Sequence, residues 1–131
     1  MSESGHEQMI TVWEAVGGND YFDRLVDDFY IRVEVDELLR PSYPEDLTES
    51  RRTLAGFLVQ YWGGSDDYSQ ERGHPRLRMR HAPFVIGPDE RDAWLKHMLA
   101  AVDASDAPAE AKQLFVKYFD QASTAMINQP V

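Results

Sequence analysis

The stretch Gly73-His74-Pro75-Arg76-Leu77-Arg78-Met79-Arg80-His81-Ala82-Pro83-Phe84 decides how the rest of the chain is read. Pro75 suits a helix opening, because its ring fixes φ and its missing N–H is no loss in a first turn, whereas Pro83 pushes Ala82 out of helical angles. A helix of about two turns fits between them. His81 ends that stem, where its imidazole can face something outside its own helix. Arg72, Arg76, Arg78 and Arg80 gather beside it although the chain carries a net charge of -10, so the group it faces is expected to be anionic. Leu77, Met79 and Phe84 flank the imidazole with apolar surface. A helix-ending histidine that only bonds local carbonyls is the plain alternative.

Outward from the stem the pattern is helical on both sides. Upstream, about Asp46 to Trp62 puts Leu47, Ser50, Leu54, Phe57, Leu58 and Tyr61 on one face and stops at Gly63-Gly64, and a loop through Tyr68 and Arg72 leads into the stem. Before that, Tyr21 to about Arg40 repeats Phe22, Leu25, Val26, Phe29, Tyr30 and Val33 at three- and four-residue spacing, with Leu38 and Leu39 finishing the stripe. Pro41-Ser42-Tyr43-Pro44 then forbids further helix and holds Tyr43 in an extended corner. A weaker helical pattern over Ile10 to Val16 ends at Gly17-Gly18, and residues 1–9 read as a flexible leader, leaving 10–131 as one domain. Downstream, Gly87-Pro88-Asp89-Glu90 resets the chain. About Asp89 to Ala104 turns Trp94, Leu95, Met98, Leu99 and Val102 inward, and a fourth long helix after Ala107-Pro108 carries Leu114, Phe115, Tyr118, Phe119, Ala122 and Met126. Four long helices and two short ones, with no strand required, predict an all-α fold.

Composition removes several function classes. The acid excess argues against nucleic acid or an anionic membrane surface as a partner, since both need a broad basic face. The absence of cysteine excludes disulfides, thiolate chemistry, iron–sulfur clusters and covalently attached haem. No apolar run is long enough to span a bilayer and no secretory segment is recognisable, so the expected location is cytoplasmic. His6, His74 and His97 form no zinc spacing with one another, no nucleophile–histidine arrangement is apparent, and the Gly-Gly pairs lack the context of a nucleotide loop.

What remains is a flat, apolar cavity with one imidazole and adjacent cations. Haem meets all three conditions: its iron needs an imidazole, its propionates need positive charge and its macrocycle needs apolar walls. Tyr30, the Tyr43-Pro44-Glu45-Asp46 corner, Tyr61-Trp62-Gly63-Gly64, Tyr68, the Arg72-to-Phe84 stretch and Glu90-Arg91-Asp92-Ala93-Trp94 together resemble a group II truncated haemoglobin of bacterial type. The resemblance covers almost all of the chain after the leader. It implies a truncated globin fold, a two-over-two helical sandwich around haem b (iron protoporphyrin IX), with the first helix and the helix before the proximal histidine reduced.

By the same resemblance His81 is the iron ligand. Tyr30, Tyr43 and Trp94 are the distal groups, with Leu54 an apolar pocket residue and Ser50 where conventional globins place a distal histidine. Arg80 engages a propionate, with Tyr61, Tyr68 and His74 as helpers. Thr53 departs from the pattern, since many relatives carry a basic propionate-binding side chain there. The implied function is reversible binding of O2 and other small haem ligands. A haem-dependent enzyme of peroxidase or nitric-oxide dioxygenase type, supplied by a separate reductase, and a haem-free interaction module stand as alternatives.

Overall fold

The computed structural model describes residues 10–128, so the leader 1–9 lies outside the described residues. The chain forms α1 (Val12–Val16), α2 (Asn19–Glu34), a single 3-10 turn (Arg40–Ser42), α3 (Thr48–Tyr61), α4 (Asp67–Arg72), α5 (Leu77–His81), α6 (Pro88–Ala104) and α7 (Ala109–Ala125). There are thus four long helices as expected, but three short ones among the described residues rather than two. None of them is long and apolar enough to cross a membrane.

The long helices pack as two pairs. α2 lies on α3 and α6 on α7, and α2 also packs against α6, which joins the pairs. The α2 stripe explains this. Phe22, Leu25, Val26, Phe29 and Val33 are almost completely buried, each contributing about 1.5–3 kcal/mol by leaving water. Tyr21, Phe22 and Phe115 form one aromatic cluster where α2 meets α7, and Phe29, Trp94 and Phe119 form another where α2, α6 and α7 converge. The second cluster lies directly behind the site described below.

Three local features correct the sequence-based expectation. α2 stops at Glu34 instead of running to Arg40. Asp36 Oδ1 accepts from the N–H groups of Leu38 (2.8 Å) and Leu39 (3.1 Å), a side-chain alternative to helical bonding that turns the chain. Leu39 is consequently buried and Leu38 is 45% exposed, so only one of the two finishes the apolar stripe. The expected loop through Tyr68 is α4, which starts where Ser65 Oγ accepts from the Asp67 N–H at 3.1 Å and which buries Tyr68. Finally, the stem is shorter than two turns, and Pro75 does not open it. Arg76, in the left-handed region at φ 43, stands between the proline and α5.

Candidate functional site

A cavity of about 730 Å³ opens between α2, α3, the stem and the α6–α7 pair. That size falls within the range of roughly 300–1,000 Å³ usual for small-molecule and cofactor sites. His81, Leu77, Arg80 and Phe84 line it from the stem, and Tyr68 and Arg72 from α4. Tyr30, Tyr43, Ser50, Leu54 and Trp94 line it as well, so all five residues expected on the distal side reach the one cavity. Tyr61, His74 and Met79 do not line it. Tyr61 and Met79 are more than half exposed, and His74 takes part through its backbone carbonyl.

The imidazole of His81 is held in one orientation. Its Nδ1 lies 2.7 Å from the Leu77 carbonyl oxygen, an acceptor only, so Nδ1 must carry the proton and donate. Nε2 is then the nitrogen with the free lone pair. This is the local carbonyl bond of the plain alternative, but it leaves the other ring nitrogen available.

A second group brings hydroxyl and indole donors together. The rings of Tyr30 and Tyr43 meet edge to face at 5.5 Å, and Phe29 packs against both Tyr30 and Trp94. Burial pushes the Tyr43 hydroxyl up to about 12, opposed in part by a hydrogen bond with Trp94. Burial, then the neighbouring Tyr43, pushes Tyr30 up as well. Both phenols therefore stay protonated at neutral pH and serve as donors. Tyr30 is 4% exposed, and its hydroxyl donates to the Ser50 carbonyl across 3.5 Å, too long to satisfy a buried O–H fully. Arg40 fixes the corner that carries Tyr43 by donating to the carbonyls of Tyr43 (3.3 Å), Pro44 (2.9 Å) and Glu45 (2.8 Å).

The arginine cluster does not act as one patch. Arg72 and Arg80 line the cavity, and Arg72 lies over the Tyr68 ring with its guanidinium carbon 5.9 Å from the ring centroid. Arg80 spends Nε on the Pro75 carbonyl (2.7 Å) and Nη2 on those of Arg72 (2.7 Å) and His74 (3.3 Å), while Nη1 makes none of these bonds. Arg78 is bound to carbonyls at and just after the end of α7, and Arg76 is exposed outside the lining. Thr53 lines the cavity but brings no charge.

These residues fit a haem. One imidazole keeps its Nε2 out of the local carbonyl bond, two guanidinium side chains stand at the wall, buried donors await an acceptor and most of the remaining lining is apolar. Much of that apolar wall comes from α7 through Tyr118, Phe119, Ala122 and Met126, and from Val85 and Ile86 after the stem. The α7 stripe was legible in sequence as a buried face, but periodicity does not distinguish residues facing a core from residues facing a cavity. His97, undecided in sequence, is bonded through Nε2 to Asp36 Oδ2 at 2.6 Å and stays out of the lining.

A family model described as bacterial-like globin matches residues 11–128. The Group 2 truncated hemoglobin YjbI of Bacillus subtilis is 41% identical over 117 residues, covering 89% of this chain and 88% of that protein. A thermostable hemoglobin from the actinobacterium Thermobifida fusca superposes with a TM-score of 0.91 at 51% identity, covering 93% of this chain and 100% of that one. The group II truncated hemoglobin of Bacillus anthracis gives a TM-score of 0.90 at 39% identity, covering 95% of each chain.

Proposed function

Since the chain belongs to the bacterial-like globin family, as a group II truncated haemoglobin that binds haem, we propose that it holds protohaem through His81 and binds O2 and other small ligands reversibly beneath Tyr30, Tyr43 and Trp94. The observation that carries this reading is the His81 Nδ1–Leu77 carbonyl bond of 2.7 Å at the wall of a cavity that Tyr30, Tyr43 and Trp94 also line. Attachment is non-covalent, as the chain has no cysteine to form a thioether.

Haem, when bound, would supply an iron able to take a diatomic molecule. The chain's own residues do the rest. Leu77 orients the imidazole by accepting from Nδ1 and makes Nε2 more basic. Arg72 and Arg80, through Nη1, are the cations suited to the propionates. Trp94 N–H and the hydroxyls of Tyr43 and Tyr30 donate to a small guest that carries partial negative charge, in surroundings where water competes little. The same donors suit polarising a peroxide, which keeps a redox enzyme fed by a separate reductase as the second reading.

The test of ligation is the ultraviolet–visible spectrum of the ferrous protein. His81→Ala is expected to lose the five-coordinate spectrum and to regain it with added imidazole. Retention of the unaltered spectrum in that variant would refute His81 as the ligand.

A further inference from the structure

The helix that ends on His81 is five residues long and buries none of them fully, with Leu77 only partly packed against the core. So short a helix is not stable through its own bonding. On its N-terminal side Arg80 reaches the carbonyls of His74 and Pro75 in the adjoining loop and that of Arg72 at the end of α4.

The bonds that tie its other side to the body of the molecule come from the end of α7 and the residues that follow it. Arg78 Nε donates to the Ala125 carbonyl at 2.8 Å and Nη2 to that of Ile127 at 3.3 Å. Asn128 Nδ2 donates to the carbonyls of His81 (3.3 Å) and Phe84 (2.8 Å), while its Oδ1 accepts from the Ile86 N–H at 2.9 Å. Its backbone N–H donates to the Ile86 carbonyl at 2.8 Å. One amide side chain thus spans the turn immediately after the histidine, and one guanidinium holds the turn before it.

We propose that Asn128 and Arg78 are positioning residues for His81, fixing the stem against the end of α7 and thereby the direction in which the imidazole meets the cavity. This rests on the reading of His81 as the iron ligand. Neither residue lines the cavity, so any effect on the ligand must pass through the backbone of residues 78–86.

Asn128→Asp is the informative variant because it keeps the acceptor for the Ile86 N–H and removes both donors. Asn128→Ala removes both functions, and Arg78→Lys retains a single cationic donor. In the haem-free protein, amide hydrogen exchange of residues 77–86 is expected to accelerate in Asn128→Ala and Asn128→Asp while α2 and α3 keep their protection. In the haem-loaded protein, release of haem to an excess of an avid apo-globin should speed up by roughly tenfold, the consequence of losing two hydrogen bonds. The iron–imidazole stretching band of the ferrous protein should shift or broaden, and Arg78→Lys should fall between Arg78→Ala and the parent.

An unchanged band and unchanged release in Asn128→Asp would overturn the proposal. So would faster exchange spread evenly over all helices, which marks a general structural role. His81→Ala run alongside separates the two readings. If that variant loses the band and the Asn128 variants do not alter it, the clasp fails and the ligand assignment stands; if it keeps the band, the ligand assignment fails.

Discussion

At the scale of single residues, the consequence of the site lies in three donors and how weakly they are occupied. Tyr30 reaches only a distant carbonyl, and Trp94 stands close enough to Tyr43 to oppose the rise of its phenol pKa. A guest that accepts from them relieves a cost already incurred on folding. Trp94→Phe keeps most of the ring volume against Phe29 and Phe119 and removes the N–H. It is expected to speed O2 dissociation by roughly two- to tenfold, the range for one buried hydrogen bond. Stopped-flow displacement of O2 by carbon monoxide measures this, and an unchanged rate would remove Trp94 from the distal set. Because Trp94 acts on the Tyr43 hydroxyl, Trp94→Phe and Tyr43→Phe combined should fall short of the sum of the single effects.

Elements show where the sequence was legible and where it was not. The four long helices and the Tyr43 corner follow from apolar spacing and prolines, the stem exists but is shorter than its prolines suggested, and Tyr30, Tyr43, Ser50, Leu54 and Trp94 line one cavity. What escaped prediction depends on partners distant in sequence or on side-chain bonds too local for periodicity. Asp36 ends α2 early through its own carboxylate, and the four arginines, uniform as a string of letters, divide between the cavity wall, local carbonyls and the end of α7. The Gly63-Gly64 corner was read as a helix stop, and it is also a packing requirement. The Gly64 N–H donates to the Val59 carbonyl at 2.7 Å, and a Cβ there would stand 2.6 Å from Val59 Cγ1 and 2.7 Å from Trp13 Nε1. Gly64→Ala should therefore loosen the docking of α1 on the end of α3 and cost about 1–3 kcal/mol in denaturant unfolding. No change in midpoint would show that α1 shifts aside freely.

Across the whole molecule, the residues proposed as distal sit on separate elements that must keep their distances. Tyr43 follows the turn after α2, and Trp94 rides on α6 one turn before His97. The 2.6 Å bond between His97 and Asp36 joins those two parts. This bond, then burial in the opposite direction and the Leu39 and Leu38 amides, leaves the Asp36 carboxyl below its ordinary value. A lowered carboxyl pKa contributes stability above the unfolded value of about 3.9, and that contribution disappears as pH falls through the folded value. Asp36→Asn keeps an acceptor for Leu38 and Leu39 and removes the charge. It is expected to be less stable than the parent at pH 6, with the gap closing by pH 3, as followed by thermal melts. An equal gap at both pH values would contradict the account through the Asp36 carboxylate.

The clasp between residues 78–86 and 125–128 also dictates an order of events. Its side-chain bonds link positions 42 to 49 apart in sequence. Closing loops of that length has a large entropic cost, which few apolar contacts on the stem help to offset. The wall bearing His81 is therefore expected to close late in folding, after α2 and α3 have paired and once residues 125–128 are in place. A cofactor held by His81 would then enter only after the helices that surround it have formed.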